Sequence, residues 1–231
     1  MDAATSGEVK STDLQTKRQV ARVFVAYASP RTILSAVAIA ITVRVLLWGW
    51  SYADVVVVAA TLALTGIVEW VIHEHLLHAP EDSVTTRRLG TGIGHRRHHL
   101  DPADLEWVLL GGLDAAVFVV LLALFTALWA VPLLWLLGTP ILLPYLSALT
   151  AAYLALANYE WTHLLVHTRY RPRTPYYRRL RRNHGLHHYR NEHYWLGVTS
   201  NLGDRLLRTY PDNKTQVPLS ATARTLDQIP D

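Results

Sequence analysis

His184-Gly185-Leu186-His187-His188 is an H-x-x-H-H near the end of the chain, and the spacing occurs once more at His95, His98 and His99. On a helix, residues three and four apart share a face at about 5–6 Å, so each triplet is expected to aim its imidazoles at one point. His163 and His167 have the i, i+4 spacing that does the same. His73 and His78 are five apart, at the end of an apolar run. These four groups use ten of the twelve histidines; His75 and His193 lie inside or beside them, and no histidine occurs elsewhere.

Around these motifs the chain is apolar. Of its 231 residues, 51% are hydrophobic, too many for an ordinary soluble domain of this length, which indicates a membrane protein. Cysteine is absent, which excludes disulfides, thiolate zinc sites, iron–sulfur clusters and thiolate-ligated haem together. Any metal must be held by imidazole and carboxylate. The first thirty residues are polar and charged, without the short apolar core of a cleavable leader.

Residues 1 to about 12 read as loose. From Asp13 to Tyr27, apolar Leu14, Val20, Val23, Phe24 and Tyr27 alternate with Lys17, Arg18 and Arg22, the pattern of an amphipathic helix on a membrane surface or of a plain solvated one. About 20 helical residues cross the hydrocarbon layer, and four runs approach that length: about 33–50, 55–72, 113–131 and 140–158. Arg44 lies near the end of the first and is expected to snorkel to the interface. Pro132, Gly138, Pro140 and Pro144 break the last apolar region into a hairpin of two spans, or into one span plus a re-entrant segment. The expected fold is an all-α integral membrane protein: an interfacial segment 1–32, one membrane domain 33–210 with four transmembrane helices and a cytoplasmic histidine-lined cap, and a polar tail 211–231.

Orientation follows from charge. Five Lys/Arg precede the first span, four separate the second from the third and twelve follow the fourth, while links 51–54 and 132–139 carry none. The positive-inside rule places both termini and every histidine motif on the cytoplasmic face.

Ten imidazoles are too many for one ion, since a tetrahedral zinc takes four ligands; two ions with about five nitrogens each would use the set. Imidazole suits iron, zinc, copper and nickel alike, so ligand type does not name the metal. The step from His73 to His78 is awkward, because an unbroken helix holds them about 140° apart. They can serve one ion only if the helix deforms there. His73-Glu74 also starts an H-E-x-x-H, but residue 77 is Leu77, which argues against a zinc peptidase.

Taken together, H-x4-H, H-x2-H-H, H-x3-H and H-x2-H-H resemble the membrane-bound fatty acid hydroxylase superfamily, whose other branches include sterol oxidases, desaturases and carotenoid hydroxylases. The stretches His98-His99-Leu100-Asp101-Pro102-Ala103-Asp104 and Tyr159-Glu160-Trp161-Thr162-His163 resemble the fatty acid hydroxylase branch. His187-His188-Tyr189-Arg190-Asn191, with Gly197-Val198-Thr199-Ser200 and Asp204, is similar to the acyl 2-hydroxylases.

The resemblance implies a histidine-ligated di-iron centre held by His73, His78, His95, His98, His99, His163, His167, His184, His187 and His188, with zinc able to substitute in a purified sample. It implies O2 as co-substrate and hydroxylation of a C–H bond in a membrane lipid acyl chain, with carbon 2 the first choice. No catalytic residue is expected apart from the ligands. Glu69, Asn158 and Glu160 are helix-mates of ligands and candidates to accept hydrogen bonds from their rings; His75 and His193 are candidates for supporting or substrate-side roles. Asp101, Asp104 and Asp204 are expected to order loops rather than bind metal. No haem-binding cytochrome domain is fused here, so electrons are expected from a separate donor, a ferredoxin or a small cytochrome with its reductase. Arg169–Arg182 is a docking surface for that partner or a positive-inside anchor. A lipid desaturase, a sterol or carotenoid hydroxylase, and a non-redox membrane zinc-binding protein are the alternatives. A strong bias of Arg over Lys suggests a bacterial inner membrane, and nothing indicates a nucleic-acid partner.

Overall fold

The computed structural model describes residues 9–90 and 92–226; residues 1–8 of the segment expected to be loose, and 227–231 of the expected tail, lie outside the described residues. All regular structure among the described residues is helical. The ten α-helices are α1 Lys17–Ala26, α2 Ala28–Leu46, α3 Tyr52–Ile72, α4 Val84–Leu89, α5 Ile93–Leu100, α6 Leu105–Val108, α7 Gly112–Leu136, α8 Leu142–His167, α9 Pro175–Tyr189 and α10 Leu202–Leu206. A π turn, His73–Leu77, continues α3. The chain divides into two compact units, one of residues 1–23, 66–109 and 161–231, the other of residues 24–65 and 110–160.

The second unit is the apolar one. Ala53, Val57, Ala130, Leu134 and Ala148 form a buried cluster with Trp129 and Tyr145 against it, and Val37, Ala40 and Tyr153 form another. Small residues at these positions let helix backbones approach closely, as membrane helices require in the absence of a hydrophobic drive between them. At the start of α7, a Cβ added to Gly112 would stand 2.9 Å from that of Ala28, so α2 and α7 meet there only because the residue is glycine. Thr61, Thr126 and Thr150 turn their hydroxyls onto carbonyls four residues back, which satisfies them where no water is present. Leu113, Val120, Leu124, Leu128 and Trp135 of α7 are exposed, as a lipid-facing stripe must be.

Three stretches, Ala28–Leu46, Tyr52–Leu77 and Leu105–Leu136, are long and apolar enough to cross a membrane. The region expected to supply the fourth span lies in α8, where Pro144, Ser147, Thr150 and Asn158 dilute the apolar character; α8 is not among the three. Helix α7 runs through Pro132 to Leu136 before the chain turns at Gly138.

Arg44 corrects the snorkelling expectation. It is 2% exposed, and its guanidinium donates to Asp54 Oδ1 at 2.7 Å, to Ser147 Oγ at 2.7 Å and to the carbonyl of Gly49 at 3.1 Å. The Trp50 ring lies 3.7 Å from it. A nearby carboxylate, read in the sequence as part of a short link, is what allows the cation to turn inward.

In the first unit, α1 buries Val20 and follows a turn, Ser11–Asp13. That turn is anchored: Ser11 N–H donates to the Ala103 carbonyl at 2.8 Å and its hydroxyl to that of His167 at 3.1 Å. Residues 211–226, expected as a tail, also pack, with Val217, Ala223 and Leu226 buried. Arg190 donates to the Val217 carbonyl and receives the Ser220 N–H at 2.8 Å on its own carbonyl.

Candidate metal centre

The first unit gathers ten imidazoles into two groups. His73, His78, His95, His99 and His187 form group one; His98, His163, His167, His184 and His188 form group two. Within each group, one ring nitrogen per residue lies within 4.8 Å of all the others. They are the ten histidines of the four sequence motifs.

The grouping corrects the expectation that each triplet aims at one point. His95 and His99 join group one while His98 joins group two; His184 and His188 join group two while His187 joins group one. A helix advances about 100° per residue, so i and i+4 differ by about 40° while i+3 and i+4 diverge by about 100°. Each triplet sends its outer pair to one group and its middle ring to the other. Helices α5 and α9 thereby serve both groups.

The π turn resolves the awkward step from His73. The N–H of His78 donates to the carbonyl of His73 at 3.0 Å, an i→i+5 bond, and the ring centroids stand 4.8 Å apart. One extra residue in the turn returns His78 to the face of His73, the kind of insertion that helices carry at functional sites. Gly92, at φ +82°, sits against this turn: a Cβ there would stand 2.9 Å from the carbonyl of Leu77.

Backbone carbonyls set the tautomers. Nδ1 faces a carbonyl in four rings: His73 to Leu196 at 2.5 Å, His99 to Ala223 at 2.8 Å, His163 to Val108 at 2.8 Å and His187 to Tyr194 at 3.0 Å. A carbonyl only accepts, so each Nδ1 carries the proton and leaves the Nε2 lone pair for a ligand bond. Burial, followed by the charges of neighbouring rings, holds His98, His184, His187 and His188 well below the usual imidazole range. Burial pulls His99 down to about 3 against the opposing bond to Ala223. The rings are therefore neutral, the form that binds metal.

The donor set fits a metal site. His95 Nε2 lies 3.0 Å from His73 Nε2 and 3.2 Å from His99 Nε2; His184 Nε2 lies 2.7 Å from His167 Nε2 and 3.1 Å from His188 Nε2. Nitrogens bonded to one ion at about 2.1 Å stand roughly 3 Å apart. Both ring nitrogens of His78 and His98, Nδ1 of His184 and His188, and Nε2 of His187 are buried with no hydrogen-bond partner among the described residues. Buried polar atoms normally find partners, and cations would satisfy these.

The carboxylates expected behind the ligands act elsewhere. Glu69 accepts the N–H and hydroxyl of Thr199 at 2.7 and 2.5 Å, and the N–H of Val198. Glu160 accepts the Ser29 hydroxyl at 2.7 Å and the Leu110 N–H at 3.4 Å. Asp204 accepts the N–H groups of Leu196 and Gly197, both at 2.9 Å, and so orders the loop whose Leu196 carbonyl holds His73. Asp104 caps α6 and Asp101 receives the Ala103 N–H at 3.1 Å. Asn158, His75 and His193 are exposed and outside both groups. Sequence reading missed the four carbonyl supports because a backbone acceptor has no residue-type signature.

The fatty acid hydroxylase family model matches residues 58–209, more than half of the chain. The chain belongs to the fatty acid hydroxylase family. All ten grouped histidines lie within the match, and the three apolar helices accord with an integral membrane protein. It is 28% identical over 153 residues, 64% of its length, to dihydroceramide fatty acyl 2-hydroxylase FAH2 of Arabidopsis thaliana, and spans 60% of that relative. Its fold is similar to the hydroxylase domain visible in full-length Scs7p, with a TM-score of 0.61 and 25% identity, covering 83% of this chain and 68% of that one.

Proposed function

We propose that this protein is an O2-dependent hydroxylase of membrane lipid acyl chains, with its ten grouped histidines holding two iron ions. The observation that carries the proposal is the pair of five-imidazole groups, largely buried, in which the ring nitrogens of His78 and His98 have no hydrogen-bond partner among the described residues. Two iron ions held by these ten rings would supply the chemistry that side chains lack: hydroxylation of a C–H bond by O2, which also takes two electrons and two protons and yields one water. The chain's own part is to keep the imidazoles unprotonated, to fix four of them through backbone carbonyls, and to keep bulk water from the centre. The name of the Arabidopsis relative supports attack at carbon 2.

The charge bias supports four spans, with both termini and the centre cytoplasmic in a bacterial inner membrane. Electrons would come from a separate ferredoxin or small cytochrome docking on the arginines of Arg169–Arg182. Lipid extracts from cells producing the protein should contain 2-hydroxy acyl chains by mass spectrometry, and extracts from His187→Ala cells should lack them. An unchanged lipid profile in cells holding iron-loaded protein overturns the proposal.

A further inference from the structure

His73, His98, His99, His184, His187 and His188 are each at most 2% exposed, so an ion needs a route to them. A cavity of about 280 Å³ reaches group one at His78 and is also lined by Glu74, His75, Glu192, His193 and Leu226. Its donors are graded by exposure. The side chain of His193 is 58% exposed and His75 is exposed, whereas Glu192 is 1% and His78 9% exposed. Glu192 is also held in place: Oε1 accepts the hydroxyls of Ser220 at 3.0 Å and Thr222 at 2.6 Å. Its other oxygen, Oε2, is buried and accepts no hydrogen bond from the described residues. Among the described residues, no lysine or arginine lines the cavity.

We infer that this cavity admits the metal ion to group one, with His193 as an outer contact and Glu192 as a transient ligand handing the ion to His78. This inference rests on the metal-centre reading above. A hydrated divalent ion cannot shed its water into a nest of buried rings at one step; it exchanges water for protein donors in succession. Carboxylate and imidazole are suitable donors for that exchange, and Glu192, lining the same cavity as the ligand ring of His78, continues the exchange that exposed His193 begins. Among the described residues, the convergent groups are the two already given and the cavity lining makes no third, as expected of a passage rather than a resting site. Molecular oxygen, being apolar, has no need of such a lining.

The test follows Co2+ uptake by metal-free full-length protein in detergent micelles, read from the visible absorption of bound cobalt. Glu192→Gln keeps an oxygen for the Ser220 and Thr222 hydroxyls and removes the charge; His193→Gln replaces an exposed ring whose Nε2 lies 3.8 Å from Glu192 Oε1. Both variants should load to the wild-type end point, Glu192→Gln about tenfold more slowly and His193→Gln several-fold more slowly, with unchanged melting temperatures. Loading of both at the wild-type rate overturns the passage while leaving the metal centre standing. A wild-type chain that takes up no cobalt overturns the metal-centre reading and the passage together. Should Glu192→Gln fail to fold, the rate of His193→Gln decides the matter.

Discussion

The imidazole of His99 stacks on that of His188, with ring centroids 4.0 Å apart and planes 25° from parallel, although the two rings belong to different groups. The groups thus share a wall of rings, and His99 is part of that wall. By contrast, His73 sets its ring against those of His78, His95 and His187, all of group one. His73→Ala should therefore lower metal content to about half, whereas His99→Ala should lower it further, because coupled neighbours do not behave independently. Metal analysis of the purified variants checks this; equal losses would show that the shared wall carries no coupling.

The π turn makes a second prediction. A π turn amounts to one residue inserted into an α-helix, and His75 within it is exposed. Deleting His75 returns the two ligands to i, i+4 spacing, where a regular helix keeps them on one face. The deletion should retain more metal than His78→Ala, which removes a ligand outright. If it retains less, the turn does more than restore the face of His78.

Much of the centre was legible because imidazoles at three- and four-residue spacings announce themselves. Two sets of about five were expected, but which ring joins which set was less legible, although the 100° between neighbours such as His98 and His99 already implies that they part. The π turn has no residue signature: nothing in Glu74-His75-Leu76-Leu77 declares an i→i+5 bond. Residues 211–226 looked like a tail because Val217, Ala223 and Leu226 are scattered among Pro, Ser and Thr; what holds them is mainly hydrogen bonding to Arg190, Glu192, Arg96 and His99, contacts distant in sequence. Arg44 was misjudged because its partner Asp54 sits at the edge of the next helix.

That ion pair supplies a third prediction. Arg44 and Asp54 have side chains 3% and 5% exposed, and Ser51 and Ser147 donate to the same carboxylate. Removing one partner strands a buried charge, at a cost of about 3–5 kcal/mol. Asp54→Ala should lower stability by that amount in denaturant titrations in detergent. Ser147→Ala removes the hydroxyl that accepts from Arg44 and donates to Asp54 but leaves the ion pair, and should cost less, about 1.5–3 kcal/mol. A change under about 1 kcal/mol for Asp54→Ala would mean that the guanidinium finds water or another acceptor at no cost.

Stability of the metal-free protein should fall as pH falls. His99 titrates at about 3 in the folded chain against 6.5 ordinarily, and His98, His184, His187 and His188 are displaced in the same direction. The unfolded chain therefore takes up protons first, and proton binding favours unfolding. The contribution of a neutral buried ring is fully present above about pH 6.5 and is lost progressively towards the folded value, by up to about 1.4 kcal/mol per pH unit for each ring. Melting curves of chelator-treated protein should stay nearly level above about pH 7 and shift down steadily from there to about pH 5. Bound metal should flatten the upper part of that dependence, because the ligand nitrogens are then occupied and protons must compete with the ion. A melting temperature indifferent to pH without metal would mean that the rings are wetter, and less able to stay neutral, than their burial implies.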